Sequence, residues 1–367
     1  MGNYIQKSKK RDHFILKVAS GIVVGILLFG IVIIGFFTAV EYRPKEIEEV
    51  TVNNNQILKV KLNQEYNVLT FNIGYASLGS HEDFVMDGGK RGIPDSIGVV
   101  EYYLDGIKNI LLENPSDIYL LQEVDLFSRR SYRIDQPTEL AETLGIAFSS
   151  SFGHNYKAVF VPFPFSVTDY MGRVESGMLS FMKFNSNNAE RHQFSSEFSW
   201  PVRTVNLKRG MVVNYLPIEG SDKLLVVVNL HLSAYDSEGD MREKEMQDLK
   251  NFLITEKEKG NYVLVGGDFN QTFPGVTKES KENKWFTPYK IEDDYLPERY
   301  KFAIDPEVWT SRLLNQPYNI DDVENTYHFI IDGFIVSDNI EIIEVSGLDL
   351  GFEYSDHNPV KLKFKLI

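Results

Sequence analysis

Residues 262–270 read YVLVGGDFN, an apolar run that ends in two glycines, an aspartate and an asparagine. β-Branched and aromatic residues followed by glycine are typical of a buried strand that runs into a turn. The same design recurs along the chain, as LTFNIG at 69–74, YLLQEVD at 119–125, VVVNLHLSAYD at 226–236, FIIDGFIV at 329–336 and YSDHNPV at 354–360. The sequence therefore sets polar side chains at the ends of many strands, where α/β proteins usually bind their ligands.

Strand-like runs alternate with helical periodicity over most of the chain. Six runs predict strands, at 66–73, 117–124, 223–232, 261–269, 328–337 and 359–366. Apolar residues spaced by three and four predict one helix that contains Val99, Tyr103 and Ile107, and a second that contains Met246 and Leu249. Interleaved strands and helices of this kind predict an α/β domain in which helices cover sheets.

Composition excludes several classes of site. None of the 367 residues is cysteine, which rules out disulfide scaffolds, thiolate zinc sites and cysteine nucleophiles. The formal net charge is −14, and because residues 1–40 carry +4, the rest of the chain carries −18. An acidic body gains little from counterion release, so composition argues against avid binding of duplex DNA.

Residues 18–40 contain no charged side chain and predict a transmembrane helix. At about 1.5 Å per residue, these 23 residues span a hydrocarbon core of about 30 Å. The basic residues lie before the segment, so the positive-inside rule places residues 1–17 in the cytoplasm and residues 41–367 outside. A cleaved signal peptide is the alternative, but its apolar region is normally shorter and Ala39-Val40-Glu41 is a poor cleavage site.

Each polar residue at a strand end also has a structural interpretation. Asn72 could begin a turn, Asp268 and Asn270 could cap a loop, and His231 could be a hydrogen-bonded core residue. Their occurrence together favours function. Carboxylates, carboxamides and histidines suit a hard cation and a phosphate ester, which points to a metal-dependent phosphodiester or phosphomonoester hydrolase.

The ordered series NIG, QEVD, NLHL, GGDFN, IDGF and SDHNPV resembles the endonuclease/exonuclease/phosphatase superfamily, the deoxyribonuclease I-like proteins. The resemblance runs from about Val68 to the C-terminus. It implies a four-layered α/β sandwich of two packed mixed sheets flanked by helices, here preceded by one N-terminal transmembrane helix. We accordingly divide the chain into a basic N-terminus at 1–17, a helix at 18–40, a tether and first strand at 41–67, and a catalytic domain at 68–367.

The resemblance also assigns metal ligands. Glu123 resembles the carboxylate that binds the catalytic Mg²⁺, and Asn72 resembles its neighbour at the same ion. Asp356 is a candidate second ligand. Mg²⁺ prefers oxygen ligands and keeps several waters; Mn²⁺ and Ca²⁺ are alternatives.

Catalytic roles follow from the same resemblance. Asp268 is similar to the residue that orients and deprotonates the attacking water, and Asn270 to a donor to the phosphoryl oxygens. His231 and His357 resemble the pair that contacts the scissile phosphate. Asp332 resembles the carboxylate that fixes the tautomer of His357. The mechanism implied is in-line attack of water on phosphorus, with no covalent intermediate.

Basic residues between Glu123 and His231 bear on the substrate. Lys157 and Arg203 are candidates to hold a second anionic group or the leaving-group side of the substrate; the alternative is charge at a solvated rim. The loop at 81–96 is rich in glycine and is predicted to fold over the metal site.

Three classes of function compete. The first is a membrane-anchored phosphoesterase outside the cell, acting on lipid headgroups or another small phosphoester. The second is an extracytoplasmic nuclease on DNA or RNA, which requires a basic groove that the sequence supplies only in patches. The third is a binding module without turnover, which we disfavour because every expected catalytic position is filled. No obligate protein partner is inferred.

Overall fold

The computed structural model describes residues 2–234, 236, 239–278, 281 and 283–367, without the side chains of residues 2–12 and 322–324. The basic side chains predicted to flank the transmembrane helix, at positions 7–11, thus lie outside the described side chains. The described residues form four α-helices: α1 (Gly2–Ala39), α2 (Ile97–Glu113), α3 (Gln136–Leu144) and α4 (Asp240–Glu258).

Eighteen strands are described. In chain order they are β1 (Ile47–Glu49), β2 (Val52–Asn53), β3 (Glu65–Asn72), β4 (Ile118–Asp125), β5 (Ser149–Val161), β6 (Gly172–Met182), β7 (Asn188–Gln193), β8 (Gly210–Pro217), β9 (Leu224–His231), β10 (Tyr262–Asp268), β11 (Gln271–Thr272), β12 (Tyr289–Lys290), β13 (Tyr300–Ala303), β14 (Ser311–Arg312), β15 (His328–Phe329), β16 (Asp332–Ser337), β17 (Ile340–Gly347) and β18 (Val360–Leu366).

Two seven-stranded sheets form the body of the domain. The first has the order β1-β7-β8-β9-β10-β16-β13, and the second has the order β17-β18-β3-β4-β6-β5-β2. Both are mixed, because β9 pairs with β10 and β3 pairs with β4 in parallel, whereas β10–β16 and β3–β18 are antiparallel. The second sheet thus places the end of β3 beside the end of β4, and the first places the end of β9 beside the end of β10.

Helices and sheets stack in four layers. Val68 and Leu120 of the second sheet pack against Val227 and Leu264 of the first in a core that lies between the sheets. Helices α2 and α3 cover the outer face of the second sheet, and α4 covers the outer face of the first. The predicted four-layered sandwich of two mixed sheets is confirmed.

Local sequence explains why the helices begin and face as they do. In α2 the residues at spacings of three and four, Tyr103, Ile107 and Leu111 among them, are fully buried, as an amphipathic stripe requires. Helix α3 begins after Asp135, whose carboxylate accepts a hydrogen bond from the backbone N–H of Thr138 at 3.2 Å. Pro137 stands at the start of this helix, where it costs no hydrogen bond.

The predicted N-terminal helix is present and longer than expected. It ends at Ala39, and its apolar part, residues 13–39, contains no buried side chain. A helix of this length and composition is long enough to cross a bilayer.

The segment at 41–67, predicted as a tether and first strand, contains two short strands. Strands β1 and β2 precede the predicted strand and pair at the edges of the two sheets, with β7 and β5 respectively. The stretch ILKVKL at 57–62, where the predicted first strand was expected, contributes only a single bridge, from Val60 to Ile218. Val60 is fully buried, whereas Ile57 is 94% exposed. Because the rest of this stretch is exposed, it lacks the packing that would favour a longer strand.

Candidate active site

The two sheets bring six of the predicted residues together. Asp268 ends β10 and lies opposite His231 on β9 and Asp332 on β16. From the other sheet come Asn72, at the end of β3, and Glu123, near the end of β4. His357 lies in the turn before β18. Strand ends of two packed sheets therefore converge on one point of the molecule.

Asp268 lies at the centre of this group and both of its oxygens are held. Oδ1 accepts the backbone N–H of Asn270 at 2.8 Å, and Oδ2 accepts Nδ2 of Asn72 at 3.0 Å. Nε2 of His231 is 3.4 Å from Oδ2, and Nε2 of His357 is 3.7 Å from it. Burial and the neighbouring charge of Asp332 raise the pKa of Asp268 to about 7. A carboxylate with such a pKa is suited to accept a proton near neutral pH.

Asp332 and His357 form a buried dyad. Oδ2 of Asp332 is 2.8 Å from Nδ1 of His357, while Thr310 Oγ1 accepts the backbone N–H of Asp332 at 3.1 Å. Burial opposes protonation of the ring, but the charges of Asp332 and Asp268 raise the pKa of His357 well above its ordinary value. The dyad therefore presents a cationic Nε2–H toward Asp268.

His231 is in the opposite electrostatic state. Burial, with the positive charges of Arg209 and His357, holds the pKa of His231 well below its ordinary value. The site thus places a neutral imidazole and an imidazolium beside the same oxygen of one carboxylate, Oδ2 of Asp268. Environments that separate the pKa values of neighbouring titratable groups are typical of acid–base sites.

A β-bulge turns Glu123 into the site. The pairing of β4 with β6 shifts between Leu121 and Val124, and Glu123 has a φ of 53°. Its Oε1 lies 3.4 Å from Nδ2 of Asn72. Gln122, which the sequence places in the same motif, instead points into the core, where its amide nitrogen donates to Oδ1 of Asn229 at 2.7 Å and so links the two sheets.

Asn270 and Asp356 also line the site, in positions that refine their predicted roles. Nδ2 of Asn270 donates to the carbonyl of Leu232 at 2.9 Å, which fixes the amide beside Asp268. Asp356 is 9% exposed, and its Oδ1 accepts from Ser355 Oγ at 3.3 Å. Burial raises the pKa of Asp356 to about 7, with the charge of Glu123 acting in the same direction.

The donor set fits a divalent cation. Ligand atoms of Asp268, Asp332 and His357 all lie within 4.8 Å of one another, close enough to hold a metal ion. Two of these three, however, are already hydrogen-bonded to each other. Glu123, Asp356 and Asn72 offer hard oxygen donors in a buried, negatively charged region, and a dication there would offset the repulsion that raises the carboxyl pKa values.

A cavity of about 570 Å³ opens above these residues. Glu123, Asp268 and His357 form its polar floor, and most of its wall is aromatic or aliphatic, including Phe84, Phe163, Phe165, Phe198, Phe286 and Phe329. Phe84 and Met86 come from the glycine-rich loop at 81–96, which the sequence predicts to fold over the site. The floor thus carries the titratable groups that suit a reaction, and the wall offers an apolar group a surface to pack against.

Neither Lys157 nor Arg203 is among the described residues that line this cavity. Lys157 is 2.9 Å from Oε1 of Glu175, and Arg203 is 3.1 Å from Oε2 of Glu197. Their charges are thus directed at carboxylates of the rim. These pairings favour the alternative of charge at a solvated rim, and the assignment of Lys157 and Arg203 as substrate ligands stays a prediction.

Three further basic residues line the cavity: Arg130, Arg209 and Arg312. Arg130 makes a buried two-point contact with Asp125, at 2.9 and 3.0 Å, and Arg312 donates to the carbonyl of Gly79 at 2.9 Å. These two mainly hold the wall together. Arg209 stands next to Lys208 in the sequence, so its charge alone gave no reason to prefer it. Asn155 also lines the cavity, with its Oδ1 buried and unbonded within the described structure.

Gly267 is required by the close approach of β9. Its φ is +152°, and a Cβ added there would lie 2.0 Å from the carbonyl oxygen of Leu230. We expect Gly267→Ala to lower the free energy of unfolding by at least about 2 kcal/mol, because backbone must move. It should also displace Asp268, the next residue. Gly98→Ala is the control, since Gly98 lies in helix α2 with a right-handed backbone, and an added Cβ there meets nothing nearer than Oγ of Ser96 at 3.8 Å. Chemical denaturation of both variants measures the difference; equal losses would contradict this account.

Comparison with solved structures identifies the fold as that of endonuclease/exonuclease/phosphatase proteins. An endonuclease/exonuclease/phosphatase from Beutenbergia cavernae is similar at a TM-score of 0.56 and 16% identity, over 83% of this chain and 72% of that one. The human Nocturnin catalytic domain, solved with a bound sulfate anion, is similar at a TM-score of 0.51 and 17% identity, over 83% and 95%. ANGEL2, a 2′,3′-cyclic phosphatase, is similar at 0.51 and 14% identity, over 87% and 98%.

No protein-family model matches the sequence, and no curated protein matches it in sequence.

Proposed function

We propose that this protein is a membrane-anchored, metal-dependent phosphoester hydrolase in which water attacks phosphorus in line. The observation that carries the proposal is the position of Asp268 between a neutral His231 and a cationic His357 on the floor of one cavity. A general base flanked by two hydrogen-bonding imidazoles matches the needs of water attack on a phosphate.

The residues divide the work as follows. Asp268, with a pKa raised to about 7, accepts the proton of the attacking water. His357, kept cationic by Asp332, stabilises negative charge that develops on the phosphoryl oxygens. His231, whose Nε2 also lies near Oδ2 of Asp268, contacts the phosphate as a second imidazole. Charge stabilisation by fixed donors in a buried site costs no reorganisation during the reaction.

Glu123 and Asn72 would hold the catalytic cation, with Asp356 nearby. When bound, Mg²⁺ acts as a Lewis acid at the phosphoryl oxygens. We expect chelation by EDTA to reduce hydrolysis to background and added Mg²⁺ to restore it. Glu123→Gln should raise the Mg²⁺ concentration for half-maximal activity by roughly tenfold or more, because the site loses a charged ligand.

Glu219→Gln is the matched control for this prediction. Glu219 is 61% exposed and pairs with Lys61 at 3.6 Å, outside the cavity lining. Its variant should keep the Mg²⁺ dependence of the parent protein. Full activity in EDTA, or an unchanged Mg²⁺ dependence of Glu123→Gln, would refute the assignment. Parallel titrations with Mn²⁺ and Ca²⁺ determine which ion is preferred.

The favoured substrate is a lipid headgroup or other small phosphoester outside the cell. An apolar wall above a phosphate-binding floor supports a substrate with an apolar substituent. The charge of −18 outside residues 1–40 disfavours long nucleic acids. The test is a parallel assay of the full chain on sphingomyelin, inositol phosphates, plasmid DNA and RNA. Preference for DNA or RNA would support the nuclease alternative instead.

The proposed topology has its own test. The unburied helix α1 supports a single membrane anchor, and the basic residues before it support a cytoplasmic N-terminus. Protease added to intact cells should then release the domain. Full protection of the domain would contradict its placement outside the cell and indicate the opposite orientation.

A further inference from the structure

Large apolar side chains are exposed on two neighbouring turns. The turn between β5 and β6 carries Phe165 and Val167, which are 91% and 93% exposed. The turn before β8 carries Trp200 and Val202, which are 56% and 53% exposed. The two turns border one cavity, since Phe165 of the first turn and Phe198 and Val205 on either side of the second all line it. We call these four residues the apolar rim.

Trp200 joins the apolar rim to the end of helix α1. Nε1 of Trp200 donates to Oγ1 of Thr38, one residue before the helix ends, at 3.1 Å. Just after the helix, the buried carboxylate of Glu41 accepts from Lys208 at 2.8 Å and lies 3.4 Å from Arg203. Paired charges thus hold the residues that follow α1 against the segment before β8. If α1 crosses a bilayer, Trp200 lies at the level where the bilayer meets water.

The rim also borders the mouth of the cavity. Phe165 belongs to both, and Phe198 and Val205, on either side of the second turn, line the same cavity as His357. The opening and the apolar rim therefore share one side of the domain.

We propose that the apolar rim docks onto the bilayer that holds α1, and that a lipid phosphoester enters the cavity directly from that bilayer. This rests on the proposed function, both the anchor and the hydrolysis. The lipid surface is the favoured occupant because the rim continues from the end of the anchor. A tryptophan with an apolar ring and a bonded N–H is typical of the membrane interface. Grouped apolar side chains of this kind mark an interaction surface, unlike single ones.

The chain contains no cysteine, so one introduced thiol can be labelled uniquely. Val167→Cys in the full chain is labelled with a nitrobenzoxadiazole fluorophore and reconstituted in vesicles of phosphatidylcholine and phosphatidylglycerol. Ile146→Cys is the control: Ile146 is 89% exposed but lies before β5, at the opposite end of this 13-residue strand, about 40 Å away. Spin-labelled lipid should quench the probe at 167 several-fold more than the probe at 146.

This experiment separates the docking proposal from the proposed anchor. If the protein floats with the vesicles but the two probes are quenched equally, the docking proposal is overturned while the anchor stands. If the protein does not float with the vesicles, the anchor fails, and the docking proposal that rests on it fails too.

An activity comparison gives the second test. Val167 and Val202 do not line the cavity, so V167D/V202D should leave hydrolysis of soluble bis(p-nitrophenyl) phosphate unchanged. We expect it to lower hydrolysis of a phospholipid in vesicles roughly tenfold, because charge opposes contact with the hydrocarbon region. The matched control is I57D/I146D, which changes two other exposed residues. They lie near each other, since the side chain of Gln56, the neighbour of Ile57, donates to the carbonyl of Ile146.

The activities on the two substrates distinguish three outcomes for the docking proposal. A selective loss on vesicles in V167D/V202D alone supports docking. An equal loss on both substrates, or no loss on vesicles, overturns it. Failure of the parent protein to hydrolyse the soluble ester counts against the proposed hydrolase, whereas the fluorescence result still reports on docking.

Discussion

Asp268→Asn should lower the turnover number by on the order of 10³-fold or more, the largest loss that we expect from a single substitution. The carboxylate is the proposed acceptor of the water proton, and an amide cannot accept it. The neighbouring contacts of the site should persist, because asparagine has the same shape. The amide group leaves either Asn72 or the backbone of Asn270 without its acceptor, which costs stability. The same substitution removes a buried carboxyl group that Asp332 repels, and this gain in stability offsets the cost. Purified full-length variant and parent protein are compared on bis(p-nitrophenyl) phosphate with saturating Mg²⁺.

The control for this substitution is Asp222→Asn, because Asp222 has an 84% exposed side chain and a surface contact to Lys223. Its activity should equal that of the parent. Circular dichroism and thermal melting of both variants distinguish a chemical defect from unfolding. Retention of more than about a tenth of the parent activity in a folded Asp268→Asn would rule out its role as general base.

The sequence was most informative where apolar runs were uninterrupted. Strands β3, β4, β9, β10, β16 and β18 coincide with predicted runs, because each is buried and flanked by turn residues. Strands β5 to β8 were not predicted. β5, for example, contains serine, histidine and asparagine, and these residues bond locally or to the other sheet, as Ser151 does to Asn214 at 2.8 Å. Such tertiary partners do not leave a periodic pattern in the sequence.

The candidate site was also predictable only in part. Residues at strand ends could be named because a motif fixes their position, and the structure brings them together. The cavity wall could not be named, since it combines turns from the 81–96 loop, the β5–β6 connection and the segment before β8. Lys157 illustrates the difficulty. It stands on β5, where alternate residues point to solvent. Its ammonium group forms an ion pair with the carboxylate of Glu175, which lies opposite it on β6. A positive charge in a sequence does not reveal whether a carboxylate is paired with it across a sheet.

Asp332→Asn should reduce the turnover number by roughly 10²- to 10³-fold, with a smaller effect on the Michaelis constant. The reason lies in the 2.8 Å contact to Nδ1 of His357. Without the negative charge of Asp332, burial favours the neutral ring, and the fixed positive charge that stabilises the phosphoryl oxygens is lost. Because that charge develops mainly in the transition state, its stabilisation enters the turnover number more than substrate binding.

Asp338→Asn is a suitable control for the Asp332 variant. Asp338 follows the same strand, is 51% exposed, and pairs with Arg299 at 3.0 Å on the surface. A purely structural role for Asp332 predicts that activity and melting temperature fall together, and that the loss is relieved at lower temperature. A role in holding His357 predicts a loss that persists at every temperature below the melting transition. The ¹⁵N chemical shifts of the His357 ring provide a direct readout, since they distinguish a charged ring in the parent from a neutral ring in Asp332→Asn. An imidazolium that survives in Asp332→Asn would show that other groups hold the charge, and the dyad would then lose its assigned role.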